Sequence, residues 1–475
     1  MSGLEQQLDR ARTVDRVGAP LANEQAWLVG GTVRDLVMAR PVEDFDIAVR
    51  GEAESSARRI ARAHDAHVFP LSEEFGAWRV TAADRSWQAD VTSLREGSIE
   101  SDLALRDFTI NAMALPLARR PEPPDLVDPH EGVSDIEARR LRVVGARSYS
   151  DDPLRVVRMA RLACELGFEV EPQTLALATA HAAEIERVAA ERVFYELRRV
   201  IASPDPLRGF ELMDSAALLA VLLPELEALK GVGQNPYHHL DVWGHTFEVL
   251  RCMLDLERGL DEVFGDAASR VESELGRPLA DELTRGEALR FAALFHDLGK
   301  PATRTVNEEG RVLFWGHDEV GARISIDICR RLHASSALGD YLAALARHHL
   351  RLGFMVHERP LTRRHVYRYM RTCEPVEVEV TVLSVADRLA TAGSKTKPQA
   401  IEGHLEVARE LMPQALTWRT QGPPEPPLRG DELIDELGIE SGPQVGHLLE
   451  LIREATFAGD VRSREAALEL ARSAL

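Results

Sequence analysis

Residues 26–50, AWLVGGTVRDLVMARPVEDFDIAVR, decide the fold of the first part of the chain. The apolar runs AWLV and FDIAV have the length of buried strands, and a Gly-Gly turn with a short helix separates them. More strand-like segments follow at 67–70, 77–82 and 87–92, whereas from about residue 151 the pattern is almost entirely helical. The sequence therefore predicts an α+β chain, with a small head of mixed β-sheet and helices before a long all-α remainder.

Two aspartates of this stretch, Asp44 and Asp46, are spaced i and i+2 on a strand, so their side chains project from the same face. Paired carboxylates suit Mg²⁺, a hard cation that also binds substrate phosphates. The turn at Gly30 and Gly31 lets backbone N–H groups approach a triphosphate, and Arg34 can neutralise phosphate charge. These are the parts that phosphoryl transfer needs. A solvated pair of strand carboxylates is the alternative interpretation.

A third carboxylate usually completes such a site, and Asp90 in SWQADVTSL is the candidate. It lies in a predicted neighbouring strand with small or apolar neighbours. We expect it to help hold the metal that activates the attacking hydroxyl. An ordinary aspartate at the edge of a strand is the alternative.

The length of 475 residues predicts three or four domains at about 100–200 residues each. The net charge of −20 argues against nucleic acid as a partner, but arginine is locally dense in 139–168 and 192–208, and binding follows local potential. No window is apolar enough for a membrane span, and the charged residues 1–16 predict no secretory signal. Four scattered cysteines indicate a reduced, cytoplasmic setting.

Five motifs in succession carry a family resemblance. The glycine and aspartate motif LVGGTVRD…DFD is followed by LRDFTINAMAL (105–115), GVSDIEARRLR (132–142), DDPLRVVR (151–158) and ERVFYELRRVI (191–201). In this order they resemble class II tRNA nucleotidyltransferases and bacterial poly(A) polymerases. The resemblance implies a polymerase-β-like nucleotidyltransferase head, a helical neck that holds the base, and a body and tail that bind tRNA.

The fourth motif suggests how a nucleotide is chosen without a template. Pro153 suits the first turn of a helix and the aspartate before it suits the cap, which sets Asp152 and Arg155 about one turn apart on one face. An aspartate accepts from the amino group of cytosine or adenine, and an arginine donates to ring acceptors. The resemblance assigns this role to Asp152 and Arg155, with Arg158 close by. A capping aspartate in a surface ion pair is the alternative.

The second motif holds Asp107 and Asn111 at i and i+4, which the resemblance places near the ribose and the joint between head and neck. Asn111 is equally a candidate for a buried structural amide. Only EGSIES (96–101) separates the predicted strand from this motif, and Leu105 stands where relatives often carry arginine. CCA-adding relatives usually have a longer flexible loop here, whereas CC-adding relatives lack it. Addition of CC alone and of full CCA therefore remain open.

A second group of residues in 237–391 predicts a metal centre. Histidines and aspartates joined from distant segments can hold a metal pair that activates water for phosphate hydrolysis. The segments HTFEVL, FHDLGK, FWGHDEVGA and VADR resemble the HD phosphohydrolase superfamily. The candidate ligands are His245, His296, Asp297, His317, His349 and Asp387.

Three further residues near this centre have weaker assignments. Lys300 is a plausible phosphate contact, and His239 and His348 are outer or surface residues. We expect the bound metal to serve hydrolysis of 2′,3′-cyclic or 2′-phosphates on damaged tRNA ends. A structural relic that still binds metal is the alternative.

The resemblance implies four domains, and a proline-rich linker at 420–430 precedes the short helices of the tail. There a turn at Gly442 and Pro443 can offer N–H groups to phosphate or simply connect packed helices. The predicted domains are a head (1–145), a helical neck and body (146–230), an HD domain (231–395) and a tRNA-binding tail (396–475).

The leading hypothesis is transfer to the tRNA 3′ end of C from CTP, or of C and then A from CTP and ATP, with Mg²⁺ in the head. A poly(A) polymerase and an HD phosphohydrolase with an inactive head are the alternatives.

Overall fold

The computed structural model describes residues 17–72, 76–117, 126–235, 237–393 and 396–475. Residues 1–16, on which the prediction of no secretory signal rests, lie outside that description. The described chain divides into two compact units. The first comprises the residues up to Ala189 together with Ser203–Val221, and the second comprises Ala190–Ala202 together with Leu222–Leu475. None of the described helices is long and apolar enough to cross a membrane.

The first unit is built on a six-stranded mixed sheet with the order β3-β4-β5-β2-β1-β6. Strands β2 and β5 run parallel, and the other neighbours run antiparallel. The predicted strands at 67–70, 77–82 and 87–92 are all present, with bounds that differ by one or two residues. The strands are β1 Ala26–Val29, β2 Asp44–Val49, β3 His67–Ser72, β4 Ala77–Thr81, β5 Gln88–Ser93 and β6 Ala114–Pro116.

Strand β2 presents alternate residues to the two faces of the sheet. Phe45, Ile47 and Val49 are buried in one hydrophobic cluster, whereas Ala48 packs in a second cluster. The two-residue period of a strand therefore places Asp44 and Asp46 on the Ala48 face. The predicted common face of the two aspartates is thus what the backbone produces.

Helices predominate after the sheet, as the sequence pattern indicates. Three short strand pairs interrupt them: β7 Arg140–Leu141 with β8 Glu169–Val170, β9 Pro278–Ala280 with β10 Leu283–Thr284, and β11 Thr305–Val306 with β12 Val312–Leu313. The helices up to residue 227 are α1 Gly30–Val37, α2 Ala53–His64, α3 Ile99–Ala104, α4 Gly132–Glu137, α5 Ser148–Asp151, α6 Arg155–Leu166, α7 Pro172–His181, α8 Ala190–Ala202, α9 Pro206–Ser215, α10 Leu219–Leu222 and α11 Pro224–Glu227.

The second unit surrounds the helix Glu377–Leu389, whose first ten residues are all buried and whose last turn carries Asp387. Side-chain caps fix the starts of two neighbours: Asp241 accepts from Gly244 N at 2.8 Å, and Thr284 forms a capping box with Glu287. Its helices are α12 Val242–Arg258, α13 Leu260–Phe264, α14 Ala268–Leu275, α15 Arg285–Phe295, α16 Lys300–Thr303, α17 His317–Arg331, α18 Ser336–His348, α19 Arg351–Met355, α20 Arg363–Cys373, α21 Glu377–Leu389, α22 Pro398–Gln421, α23 Gly430–Leu437, α24 Pro443–Ala458 and α25 Arg464–Ser473.

One helix begins later than predicted. Helix α6 starts at Arg155, so Pro153 precedes it instead of occupying its first turn. Asp152 ends α5 in an extended conformation, and its Oδ1 accepts from Leu154 N at 3.2 Å. Arg155 N bonds back to Asp152 O at 3.1 Å. The aspartate therefore makes the side-chain bond expected of a cap, to the N–H two residues on, whereas the prediction that Pro153 lies within the first turn of the helix is wrong.

Candidate active sites

The head brings the three predicted carboxylates onto one face of the sheet. Asp46 and Asp90 are directly opposite one another in the parallel pair of β2 and β5. Their neighbours Phe45 and Ala89 point into the core of the other face. Asp44 is exposed, whereas Asp46 is half-buried. A row of oxygen ligands that faces away from the core fits a hard divalent cation shared with substrate phosphates.

Asp46 lies in an environment that disfavours its own negative charge. Burial raises the pKa of the Asp46 carboxyl, the nearby Arg106 guanidinium opposes that rise, and the Asp90 carboxylate adds to it. A cation placed between the two carboxylates would relieve this repulsion. Arg106 in turn is held by Asp102 at 3.2 Å.

The first glycine of the Gly-Gly turn is required by both backbone and space. Gly30 has φ +65°, and a Cβ atom there would lie 2.9 Å from Asp46 Oδ2 and 2.9 Å from a guanidinium nitrogen of Arg106. A side chain at this position would therefore collide with the carboxylate that the turn faces.

Thr32 joins helix α1 to the aspartate strand. Its hydroxyl donates to the Asp44 carbonyl at 3.1 Å and accepts from Asp46 N–H at 2.7 Å. Both groups flank Phe45, so this one buried side chain fixes the strand at the point where the two carboxylates emerge.

Asp90 is oriented by a residue that the sequence argument missed. Arg79 donates to both Asp90 oxygens at 2.7 Å, and the two residues are directly opposite on β4 and β5. Two strands in register place such pairs together, so the strand prediction contained the signal for Arg79. Thr32 and Arg106 were missed as well.

Four predicted nucleotide-binding residues form one chain of hydrogen bonds. An Arg34 guanidinium N–H donates to Asn111 Oδ1 at 2.9 Å, and Asn111 Nδ2 donates to Asp107 Oδ1 at 3.0 Å. Arg158 donates to Asp107 Oδ2 at 2.6 and 3.0 Å. This pairing with Arg158 holds the pKa of the buried Asp107 carboxyl well below its usual range.

Arg155 makes contacts different from those that base reading alone would predict. Its guanidinium donates to the carbonyls of Leu105 at 2.8 Å, Arg106 at 3.2 Å and Ser148 at 3.1 Å. The arginine therefore joins the second motif to the start of the fourth. Its role toward a base stays a prediction.

The second unit assembles a buried cluster of the predicted metal ligands. Two sets of three residues have ligand atoms within 4.8 Å of one another, and Asp297 belongs to both. His245 Nε2 lies 2.9 Å from Asp387 Oδ1, which brings the sixth candidate to the same place. The sets are His245, His296 and Asp297, and Asp297, His317 and His349.

The histidines of this cluster are oriented by the backbone. The Nδ1 atoms of His296, His317 and His349 lie 2.9, 2.7 and 2.6 Å from the carbonyls of the third residue before each. A carbonyl accepts only from a protonated nitrogen, so in the neutral form of each ring Nε2 keeps its lone pair free for a metal.

The hydrogen-bond partners of the buried atoms in this cluster indicate whether a metal ion fits there. Within the described chain, Asp297 Oδ1 has no hydrogen-bond partner, and Asp297 Oδ2 has ion-pair contacts with Lys300 Nζ at 2.6 Å and His296 Nε2 at 3.1 Å. Buried polar atoms are rarely left in this state. A mixed nitrogen and oxygen donor set with unused lone pairs fits a divalent transition metal.

The residues around the cluster differ in part from those expected. Lys300 also donates to Gln234 at 2.7 Å, so its ammonium is already engaged near the cluster. His238, which was not predicted, packs its ring 4.6 Å from that of His245. Adjacent His239 was the weak candidate, and in a loop nothing in the sequence says which of the two faces inward.

Family models match three segments of the chain. The poly(A) polymerase head domain matches residues 26–142, the probable RNA-binding site of the polymerase matches 167–230, and the HD domain matches 242–392.

The chain is 36% identical over 442 residues to an A-adding tRNA nucleotidyltransferase of Deinococcus radiodurans, covering 92% of each. It is 33% identical to a CC-adding tRNA nucleotidyltransferase of Thermus thermophilus, covering 94% of this chain and 92% of the relative. A solved CCA-adding enzyme in complex with ATP has a TM-score of 0.65 at 22% identity, over 99% of this chain and 96% of that one. With this identity along nearly the whole chain, the protein belongs to the tRNA nucleotidyltransferase family.

Proposed function

We propose that this nucleotidyltransferase adds cytidylate from CTP to the 3′ end of tRNA. The 3′-hydroxyl oxygen bonds to the α-phosphorus and its proton is released to solvent, the bond from the α-phosphorus to the oxygen that bridges to the β-phosphate breaks, and pyrophosphate leaves. The three carboxylates on one face of the sheet carry this proposal, because in-line transfer needs them around a metal. Mg²⁺, when bound at Asp44, Asp46 and Asp90, would stabilise the charge on the phosphates.

Other residues of the head and neck would position the nucleotide. The turn at Gly30 and Gly31 offers N–H groups to the triphosphate, and Arg34 neutralises it. The chain from Arg34 through Asn111 to Asp107 and Arg158 supports the ribose. Asp152 and Arg155 would read the base edge, with Arg158 beside them, and the helical domains and tail would bind tRNA chiefly by backbone and shape.

The connection between β5 and α3 favours CC addition. Strand β5 ends at Ser93 and α3 begins at Ile99, so residues 94–98 alone connect them. Ser98 caps the helix by accepting from Ser101 N at 3.2 Å. Relatives that switch to A usually carry a longer flexible segment here, and the short connection in this chain supports CC addition.

Addition of A alone is the second candidate, because the relative from Deinococcus radiodurans is A-adding and 36% identical. The test uses a tRNA transcript without its last three residues and one that ends in CC, each with CTP, ATP or both. We expect two residues from CTP on the first transcript and none from ATP on the second. A single A on the second would favour A addition, growth through CCA would favour the full activity, and long A tracts would identify a poly(A) polymerase.

A matched pair of variants tests the site. D44A/D46A should abolish incorporation from CTP, whereas D84A, an exposed aspartate of the β4–β5 turn, should retain it. Unchanged incorporation by D44A/D46A would reject the assignment. Absence of incorporation by the wild-type chain would leave it as a phosphohydrolase with an inactive head.

For the second unit we propose hydrolysis of phosphate esters at RNA ends, including 2′,3′-cyclic and 2′-phosphates. The buried cluster around Asp297 supports it, since its unused lone pairs fit a metal pair. Metal, when bound, would activate water, and Lys300 would stay beside Asp297 to balance charge. Wild type and D297A are compared on a 2′,3′-cyclic nucleotide. Equal hydrolysis would reject the proposal.

A further inference from the structure

The centre of the second unit opens into a cavity of about 410 Å³ with two unlike walls. This volume lies within the range of about 300–1,000 Å³ that small-molecule sites occupy. Asp297, His317, His349, Asp387 and Lys300 line its polar part. Val312, Leu313, Phe314, Leu350, Trp315 and Phe354 line the apolar part.

Two aromatic side chains of the apolar wall are unusually exposed. Trp315 has 79% and Phe354 has 55% of its surface accessible. Large apolar side chains are normally buried, and those that line a cavity beside polar groups mark ligand sites. Two exposed aromatic rings at one cavity therefore favour a ligand with a planar group that can stack on them.

Chain connectivity ties both rings to the candidate metal ligands. Trp315 lies in the turn between β12 and α17, two residues before His317, and Gly316 between them has φ +78°. Phe354 lies in α19, which follows His349 by a single residue. Phe314, which precedes Trp315, packs at 5.4 Å beneath the Lys300 ammonium and supplies the carbonyl that orients His317.

We propose that Trp315 and Phe354 form a stacking platform for the nucleobase of the substrate whose phosphate reaches the metal cluster. The inference rests on the proposed hydrolytic function and adds to it the two residues that would recognise the base of a nucleoside with phosphate on its ribose. A base stacks on aromatic side chains through its π-face, whatever its identity. The polar wall receives the phosphate while the base stays on the aromatic rim. Such a nucleoside is either a free nucleotide or the last residue of an RNA.

The kinetic test separates the base from the phosphate. Substrates are adenosine 2′-monophosphate, a short RNA that ends in a 2′-phosphate, and glycerol 2-phosphate, which has no base. We expect W315A and W315A/F354A to raise KM for the first two at least about five-fold, with little change in kcat and none in the hydrolysis of glycerol 2-phosphate. V306A removes an exposed apolar side chain (53% accessible) of the neighbouring strand β11 and serves as the control.

Binding without turnover gives an independent readout. Addition of adenosine 2′-monophosphate to the metal-free full chain should quench tryptophan fluorescence. W315F should remove that quenching, because phenylalanine does not fluoresce at the wavelengths where tryptophan emits. The quenching should persist in V306A. If it also persists in W315F, or if glycerol 2-phosphate is hydrolysed as efficiently as the nucleotide, the platform is rejected.

The two proposals fail in different ways. Absence of hydrolysis on all three substrates, with quenching that depends on Trp315, would reject the hydrolase and support the platform. Hydrolysis that depends on Asp297 but is unchanged in W315A/F354A would support the hydrolase and reject the platform. If the RNA shows the change in KM and the mononucleotide does not, the platform serves RNA ends.

Discussion

Asp46 N–H donates to the hydroxyl of Thr32 at 2.7 Å, so the strand that carries the aspartates is fixed by a side chain from the glycine-turn helix. The same hydroxyl donates to the Asp44 carbonyl at 3.1 Å. The helix that begins with the glycine turn and the strand that carries the two aspartates are therefore held together by this one hydroxyl group.

Loss of that hydroxyl should damage the head. T32V keeps the volume but leaves the buried N–H of Asp46 without a partner, which costs about 1–3 kcal/mol. We expect a lower melting temperature of the first unit and a lower kcat for CTP incorporation. T32S retains the hydroxyl and should restore most of both. Equal activity of T32V and T32S would show that the bond does not matter.

Replacement of Gly30 tests the close approach of the turn to Asp46. G30A forces an L-residue to φ +65°, which costs about 1–2 kcal/mol, and it presses a methyl group against the Asp46 carboxylate. The free energy of unfolding and the rate of nucleotide incorporation should both fall. G51A is the control, because a Cβ atom there meets nothing within 4 Å. Equal stability and equal incorporation for G30A and G51A would contradict the close approach of Gly30 to Asp46.

The Asp107–Arg158 pair should make the stability of the head depend on pH. Because the folded state holds the pKa of Asp107 below its ordinary value, the unfolded state binds more protons, and stability is lost as pH falls below about 4. Above that pH, D107N should be less stable than wild type by about 1–3 kcal/mol, and the difference should shrink on acidification. Urea unfolding between pH 7 and 3 measures this.

An exposed ion pair provides the comparison for D107N. Asp151 pairs with Arg147 at 3.3 Å, and the arginine side chain is 87% accessible. D151N should therefore change stability by less than about 1 kcal/mol at any of these pH values. A constant difference between wild type and D107N across the range would contradict the assigned cause.

Metal binding should raise the stability of the second unit. A metal that binds only the folded state adds RT ln(1 + [L]/Kd), about 2.7 kcal/mol at a hundred-fold excess over Kd. Titration of the full chain with Mn²⁺ or Zn²⁺ should raise the melting temperature of the second unit, and D297A should abolish the rise. H333A alters an exposed histidine paired with Glu191 at 2.9 Å and should bind normally. A shift that survives in D297A would locate the metal elsewhere.

Local patterns predicted the head well. The glycine turn and the alternation around Phe45 are encoded within 25 residues, because a strand's period fixes which face each residue joins. Arg79 and Arg106 were missed because their importance depends on register and on the approach of a distant segment to Asp46. The start of α6 was misplaced by two residues because Pro153 and Leu154 form a tight turn before the regular helix, and a capping signal does not fix the first helical residue that closely.

The second unit shows the same limit in a different form. Five of the six candidate ligands lie in four separated motifs, the sixth, His349, lies outside them, and the fold brings all six together. His238 was overlooked in favour of His239, since two consecutive histidines in an irregular segment carry no periodicity. Which of them packs on His245 is decided by the path of the loop.

The carbonyls that orient His296, His317 and His349 belong to the main chain. Every residue type supplies such a carbonyl as long as the backbone keeps its path. Mutation of Ala293, Phe314 or Ala346 therefore leaves the imidazole tautomers unchanged. The centre can tolerate sequence drift in its nearest chain neighbours without losing its donor geometry. Only a change in where α15 and α18 end, or in the turn before α17, would disturb it.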